Sequence, residues 1–344
     1  MTSFKDLCWN VDEETYRNDP AFSYSTLSRF LREGFECIDK LYDKISSPAL
    51  TFGSMVDTLI TDGKEAFDKR FFVATMPELS DTLKKIVESL YDKFGTIAVN
   101  IHQVSDKDIL TECGLFEYGK TWKNETRVSK VKSDGSIYYN FLRLSNGKEV
   151  VSTEMYDAAV RCVEALKNSE ATRWYFADNN PWDGVERFYQ LKIKGKWEDI
   201  DLRCMIDLLV VDHKNKIIQP VDLKTSGHPE YKFYQSYVKW NYNIQQSLYT
   251  YLIKQLIATN PEYSEYKVVP YKFIVVNKDT CRPEVWEVTQ MMADAIDNFT
   301  IGETTFRNWR HIARELKESL EPGRAVPVGI FENSSNSISE WLQK

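Results

Sequence analysis

The sequence predicts an α/β fold: a mixed central β-sheet supplied by the middle of the chain, flanked by helices from both ends, with an N-terminal helical part. Three observations carry this. Short runs rich in β-branched residues cluster between positions 185 and 288. Apolar residues at helical spacing dominate the first 135 positions and return at 153–168 and 238–258. No internal repeat and no linker interrupts the 344 residues. A single domain over 1–344 is therefore expected, with a mainly helical part at 1–135, a sheet-containing core at 136–320 and a Pro/Gly/Ser-rich tail at 321–344.

Taken in order, Ser23 or Ser25 can cap a helix carrying Leu27, Phe30 and Leu31, and Phe35, Ile38 and Leu41 continue the apolar set, so 23–70 reads as helical. After Pro48, the stretch from Leu50 to Ile60 is a buried helix in which Gly53 allows close contact and Asp57 is a charge that needs a partner. Residues 80–135 read as helices with polar loops. Tyr138 to Leu144 reads as a short strand returning through Ser145-Asn146-Gly147-Lys148 to pair with Glu149 to Ser152. Ser152 or Thr153 then caps a helix to about Asn168, with Met155, Ala159, Cys162, Val163 and Leu166 inward. A strand at 185–193 and a turn at Lys194-Gly195-Lys196 lead into a hairpin, then a helix at 238–258, strands at 272–277 and 283–288, and a long helix from Gln290 towards Leu320.

Composition narrows the class. With 42% hydrophobic residues and no apolar run long enough to cross a bilayer, the chain reads as a globular protein without a membrane partner. The opening Met1-Thr2-Ser3-Phe4-Lys5-Asp6-Leu7 lacks the basic-then-apolar layout of a secretory signal, so a cytoplasmic location is expected. Six cysteines without a C-x-x-C pair suggest neither a disulfide framework nor a zinc site. The four histidines form no ligand spacing and no Gly-rich phosphate loop is present, so His-based nuclease, Ser-His-Asp hydrolase and P-loop chemistry find no support. A net charge of −7 argues against nonspecific coating of nucleic acid while permitting a local basic groove.

The hairpin is the most telling stretch. Leu208 to Val211 and Ile217 to Val221 flank Lys214-Asn215, whose Asn tolerates the left-handed turn conformation. Folding symmetrically about that centre sets Asp207 opposite Asp222, with Cβ atoms roughly 4.5–5.5 Å apart. Alternation along the strand puts Lys224 on the same face as Asp222 and turns Leu223 away. Facing carboxylates repel unless a cation lies between them, and two carboxylates with the Leu223 carbonyl make a hard oxygen site suited to Mg²⁺ or Mn²⁺. Lys224 can then orient water or neutralise phosphate charge. The plain alternative is an exposed hairpin whose charges solvate one face.

Other residues extend the set. Glu186, on the preceding strand, can add a third carboxylate or simply face solvent. Gln245 and Tyr249, four apart on the following helix, point to one side. Between them and the hairpin, Tyr231 to Tyr242 interleaves aromatics with Lys232 and Lys239, a pattern that serves base stacking and phosphate pairing or ordinary core packing.

Together these residues resemble the PD-(D/E)XK nuclease superfamily, and within it the exodeoxyribonuclease VIII type of phage and prophage recombination systems. The resemblance rests on Cys204-Met205-Ile206-Asp207, Val221-Asp222-Leu223-Lys224-Thr225 and Gln245-Gln246-Ser247-Leu248-Tyr249, preceded by Ser23-Tyr24-Ser25-Thr26-Leu27 and by Gly53-Ser54-Met55-Val56-Asp57 where the family has G-x-x-x-H. It spans about residues 16 to 277, with 80–150 contributing little.

The resemblance implies a restriction-endonuclease-like core in which Asp207 and Asp222 ligate Mg²⁺ or Mn²⁺, Leu223 offers its carbonyl, Lys224 positions water, and Glu186 and Asp57 act as further ligands. Asp57 in place of histidine is an oxygen ligand compatible with Mg²⁺. Gln245 and Tyr249, with Lys232 and Lys239, would support the site or contact DNA. The implied activity is digestion of linear double-stranded DNA from its ends, 5′ to 3′, beside a single-strand annealing protein and within a homo-oligomer. A catalytically weak DNA-binding scaffold and an endonuclease of the same superfamily remain as rivals. With Cys281 alone downstream of the core, an Fe-S cluster of the kind some relatives carry is not expected.

Overall fold

The computed structural model describes residues 2–180 and 182–321. It divides into two compact units, one of residues 54–160 and one of residues 1–53 with 161–344. This differs from the expected partition at position 135. The opening segment belongs with the sheet, because Phe22 bridges to Leu202 and Leu27 and Phe30 join the core formed by the strands.

The 54–160 unit is built on helices Asp81–Phe94, Asp106–Leu115 and Asn124–Ser145. Ser80 and Ser105 cap the first two, each accepting a backbone N–H three residues on. The helices close over Ile86, Val87, Leu90, Ile109, Cys113, Val131 and Tyr139. Strand β1 (Phe71–Val73) pairs in parallel with β2 (Glu149–Val151). The expected strand at 138–144 is instead the last two turns of helix Asn124–Ser145. Gly135, Tyr138 and Tyr139 are buried at helical spacing, and Asn146, left-handed at φ 47°, ends the helix by donating to the Leu142 carbonyl at 3.0 Å. Asp57 lies in this unit, on helix Pro48–Thr61, and its carbonyl accepts the Thr61 hydroxyl at 2.8 Å.

The other unit carries the main sheet. Its strands are β3 (Val185–Trp197), β4 (Ile200–Asp212), β5 (Ile217–Ser226), β6 (Lys267–Val268), β7 (Lys272–Asn277) and β8 (Pro283–Glu287), in the order β3-β4-β5-β7-β8 with β6 beside β5. β3, β4 and β5 form an antiparallel meander, β7 runs parallel to β5, and β8 returns antiparallel. A parallel neighbour requires a crossover, which helices Phe233–Lys239 and Tyr242–Ala258 supply. Helix Tyr242–Ala258 is buried along most of its length, with Ile244, Leu248 and Leu252 in the same core as Leu202, Cys204, Ile206 and Phe273. The expected mixed α/β architecture is therefore present.

Several boundaries depart from the pattern reading. β3 continues through Lys194-Gly195-Lys196, and the turn falls at Glu198-Asp199, where Glu198 takes φ 54°. Gly195 serves helix packing instead. A Cβ there would fall onto Gln255 Oε1 and 2.8 Å from Leu252 Cδ2, and Gln255 Oε1 is the acceptor for the Lys196 N–H at 3.0 Å. Gly195→Val is accordingly expected to destabilise the protein by roughly 1–3 kcal/mol, read as a lower urea midpoint with an unchanged slope.

The helix expected over 238–258 is broken at Asn241, left-handed at φ 55°. The long helix expected from Gln290 is three elements: Gln290–Ala293, a hairpin of β9 (Phe299–Ile301) and β10 (Thr304–Phe306) turning at Gly302, and helix Trp309–Leu320. Asn308 starts that last helix by accepting the Arg310 N–H at 3.0 Å, and Trp309, Ile312, Ala313 and Leu316 bury its inner stripe. Among the described residues no helix is long and apolar enough to cross a membrane. Nearly all of the tail at 321–344 lies outside the described residues.

Candidate active site

β4 and β5 pair in the anticipated register, from Asp212 with Ile217 at the loop to Leu208 with Val221. The loop centre is as expected, but the left-handed residue is Lys216 at φ 54°, while the Asp212 carboxylate holds the turn by accepting the Asn215 N–H at 2.9 Å. Asp207 and Asp222 occupy the next rung beyond the last ladder pair. There the Asp207 carboxylate leans onto the neighbouring strand, and its Oδ2 accepts the Leu223 N–H at 3.0 Å. A residue's N–H and C=O leave a strand on the same side, so the Leu223 carbonyl faces that side as well.

Asp222 is only 1% exposed, at the sheet's centre between β4 and β7. Alternation along β5 brings Lys224 to the same face, with its Nζ 2.6 Å from Asp222 Oδ2. From helix Tyr242–Ala258, Gln245 bridges the pair: its Oε1 accepts from Lys224 Nζ at 3.2 Å and its Nε2 donates to Asp222 Oδ1. The Tyr242 ring lies beneath the ammonium, 4.6 Å from Nζ to its centroid. Burial works against a charged lysine, but Asp222, Tyr242, Asp207 and Tyr24 outweigh it and hold the Lys224 pKa above the ordinary lysine value. Lys224 is therefore a fixed cation and donor, and a poor general base.

Asp222 Oδ2 meets Lys224 as an ion pair at an angle that makes no hydrogen bond, and it has no hydrogen-bond partner among the described residues. A buried carboxylate oxygen in that state retains lone pairs for a cation. No three His, Cys, Asp or Glu side chains gather as a metal cage among the described residues. Two carboxylates and a main-chain oxygen nevertheless suit Mg²⁺, which keeps waters and takes one or two carboxylates plus substrate phosphate.

Tyr249, one turn beyond Gln245, is 6% exposed and packs edge-on against Tyr271 with ring centroids 6.3 Å apart. Burial raises both hydroxyls well above the usual tyrosine range, and Asp222 and Asp207 push them further in the same direction. These tyrosines stay neutral and wall the carboxylates from the interior.

The sequence placed Tyr242 in an aromatic segment and Tyr24 in a helix start without assigning either to the surroundings of Lys224, and Tyr271, which precedes β7, carried no signal at all. Pattern reading also missed Gln190. Gln190 lies on β3 between Tyr189 and Leu191, which pair with Leu208 and Ile206 on either side of Asp207. Gln190 takes φ 52° there, a left-handed backbone that no local turn signal in the sequence announces.

Glu186 does not join this group. It pairs with Val211, four residues from Asp207, or about 13 Å along the strand. Its Oε2 is instead 2.7 Å from His213 Nε2, and His213 Nδ1 is 2.8 Å from the Tyr266 hydroxyl. Glu186 thus lies on the neighbouring strand but not on the rung of Asp207. Glu186→Gln is expected to leave the rate of any reaction at Asp222 within about twofold of wild type, as measured by initial velocity, since surface changes away from a site have small effects. Asp57 belongs to the 54–160 unit. Lys232 and Lys239 are exposed on the segment joining β5 to helix Tyr242–Ala258, and each ammonium lies over a neighbouring ring, Tyr231 and Trp240.

The family model "PDDEXK-like domain of unknown function (DUF3799)" matches residues 23–301. No curated protein matches the chain. Among solved structures, a crystal structure from Eubacterium rectale described as a "Putative exonuclease" superposes with a TM-score of 0.44 at 13% identity, covering 96% of this chain and 100% of its own.

Proposed function

The chain belongs to the PDDEXK-like family DUF3799, and from that membership we propose that it is a metal-dependent deoxyribonuclease that hydrolyses phosphodiester bonds of linear double-stranded DNA. The observation that carries the proposal is the Asp207, Asp222 and Lys224 cluster. Two carboxylates lie at the same level of the sheet, and a half-buried lysine is locked to one of them by Gln245.

In this reading Asp207, Asp222 and the Leu223 carbonyl hold a divalent cation, Mg²⁺ or Mn²⁺. When bound, that ion supplies an activated water and charge stabilisation at the phosphate. The protein's own groups do the remainder. Asp222 provides a negative charge that its surroundings cannot solvate away. Lys224, kept protonated, donates to an oxygen of the scissile phosphate or to the attacking water and neutralises charge that builds up as the bond breaks. Gln245 is a positioning residue, since its amide fixes the distance between Lys224 and Asp222. Tyr249 and Tyr271 exclude water from behind the carboxylates. Lys232 and Lys239 face solvent where a DNA backbone can lie across them.

The finer reading is an exonuclease of the exodeoxyribonuclease VIII type, acting 5′ to 3′ from DNA ends in phage-type recombination, with a single-strand annealing protein as partner and a homo-oligomer as the working form. The motif order from Ser23 to Tyr249 supports it. The test is incubation of linear and closed circular duplex DNA with Mg²⁺, Mn²⁺ or EDTA. Loss of linear DNA alone, dependent on metal, is the expected result. Cutting of circles would make the protein an endonuclease, and intact DNA under every metal would leave a binding scaffold.

A further inference from the structure

Beside the carboxylates stands a group of exposed side chains that phosphodiester hydrolysis does not account for. Trp240 follows helix Phe233–Lys239 directly and is 40% exposed. Two cations lie over its ring, the Arg32 guanidinium carbon 5.4 Å and Lys239 Nζ 5.0 Å from the centroid, both on flexible side chains that a stacking base can push aside towards its phosphates. Arg32 comes from a separate element, helix Tyr24–Glu33, so the grouping is tertiary and not an accident of adjacent sequence. Among the described residues neither Arg32 nor Lys239 takes part in an ion pair, whereas the adjacent Glu33 is taken by Arg29 at 3.1 Å. The cations therefore face solvent unneutralised.

The group is wired to the site. The Trp240 carbonyl accepts the Tyr24 hydroxyl at 2.7 Å, and the Tyr24 ring lies 6.0 Å from that of Tyr242, the ring beneath Lys224. Burial raises the Tyr24 hydroxyl above the usual tyrosine range, and Tyr242 adds to that rise. Trp240 is thus one hydrogen bond away from the residues around the carboxylates. Tyr234 and Tyr231, 55% and 59% exposed, extend the aromatic surface along the same segment as Lys232.

We propose that Trp240, Arg32 and Lys239 form a seat for the unpaired end of a DNA strand, with a base stacked on the indole and the adjoining phosphates on the two cations. Inside a duplex both faces of each base are covered by its neighbours, so an exposed indole can stack only on a base with a free face. The terminal pair of a blunt duplex offers one such face, held in line with the helix axis, whereas a frayed or single-stranded terminus offers its base free to turn onto the indole. Arg suits this place because its planar guanidinium stacks as well as pairing with phosphate. The seat rests on the nuclease reading and specifies its substrate as DNA with an unpaired end.

The test is fluorescence anisotropy in EDTA with three DNAs: a hairpin carrying a short single-stranded tail, the same hairpin blunt, and a dumbbell with no ends. Degradation of the tailed DNA with Mn²⁺ is followed in parallel. Trp240→Ala is expected to weaken binding of the tailed hairpin by about tenfold, with Trp240→Phe restoring most of it and the dumbbell unaffected. Arg32→Ala is expected to weaken the tailed DNA and flatten its salt dependence by about one phosphate contact. If Trp240→Ala, folded by circular dichroism, binds tailed DNA as wild type does while wild type degrades DNA, the seat is overturned and the nuclease reading stands. If wild type neither binds nor degrades any of the three, both are overturned.

Discussion

Asp222→Asn is expected to lower metal-dependent hydrolysis of linear DNA by roughly a thousandfold, in line with removing a principal charge-stabilising group from a catalytic site. The substitution keeps shape and volume, so the loss isolates the charge. Asp222 is almost wholly buried, its Oδ1 is engaged by Gln245 and its Oδ2 by the Lys224 charge alone. Asparagine also strips the buried ammonium of its counter-ion. Breaking a buried pair costs about 3–5 kcal/mol, and because the Lys224 side chain is one-fifth exposed the lower end, about 3 kcal/mol, applies. Two measurements check this: single-turnover rates with Mn²⁺, and Mn²⁺ binding by calorimetry. Rates within a few-fold of wild type would remove Asp222 from the reaction.

Lys224→Ala is expected to reduce the rate by a factor of about 10²–10³ while metal binding changes much less, because its role lies at the phosphate and not in ligation. The pH profile separates this from a general-base role. The folded-state pKa of Lys224 is raised above its unfolded value of about 10.4. Its ion pair therefore contributes full stability below the unfolded value and loses it only as pH rises through the higher folded value. Wild-type activity should show no alkaline limb from this residue between about pH 8 and pH 10. A rate that climbs across that window with loss of one proton from Lys224 would make it a base after all.

The legible part of the site is the part governed by short-range periodicity. The β4–β5 register follows from a symmetric turn between two β-branched runs, and that register alone brings Asp207 to Asp222. Strand alternation adds Lys224, and helical spacing carries Gln245 and Tyr249 together. Where the reading failed, it extended a local pattern too far. Glu186 has the right strand and the wrong rung, and the 138–144 alternation belongs to a helix whose buried Tyr138 and Tyr139 answer to Gly135. The helix expected from Gln290 ends at Ala293, and a hairpin turning at Gly302 follows before helix Trp309–Leu320.

The amino-acid order was thus sufficient for the α/β class and for the register of the β4–β5 hairpin, since each depends on periodicity and turn chemistry within short stretches of the chain. The cradle around Lys224, the left-handed backbone at Gln190 and the Arg32–Trp240 contact depend on segments up to about two hundred residues apart meeting in the folded chain. Such meetings are set by which faces must be buried against one another, and no local periodicity encodes the choice of partner.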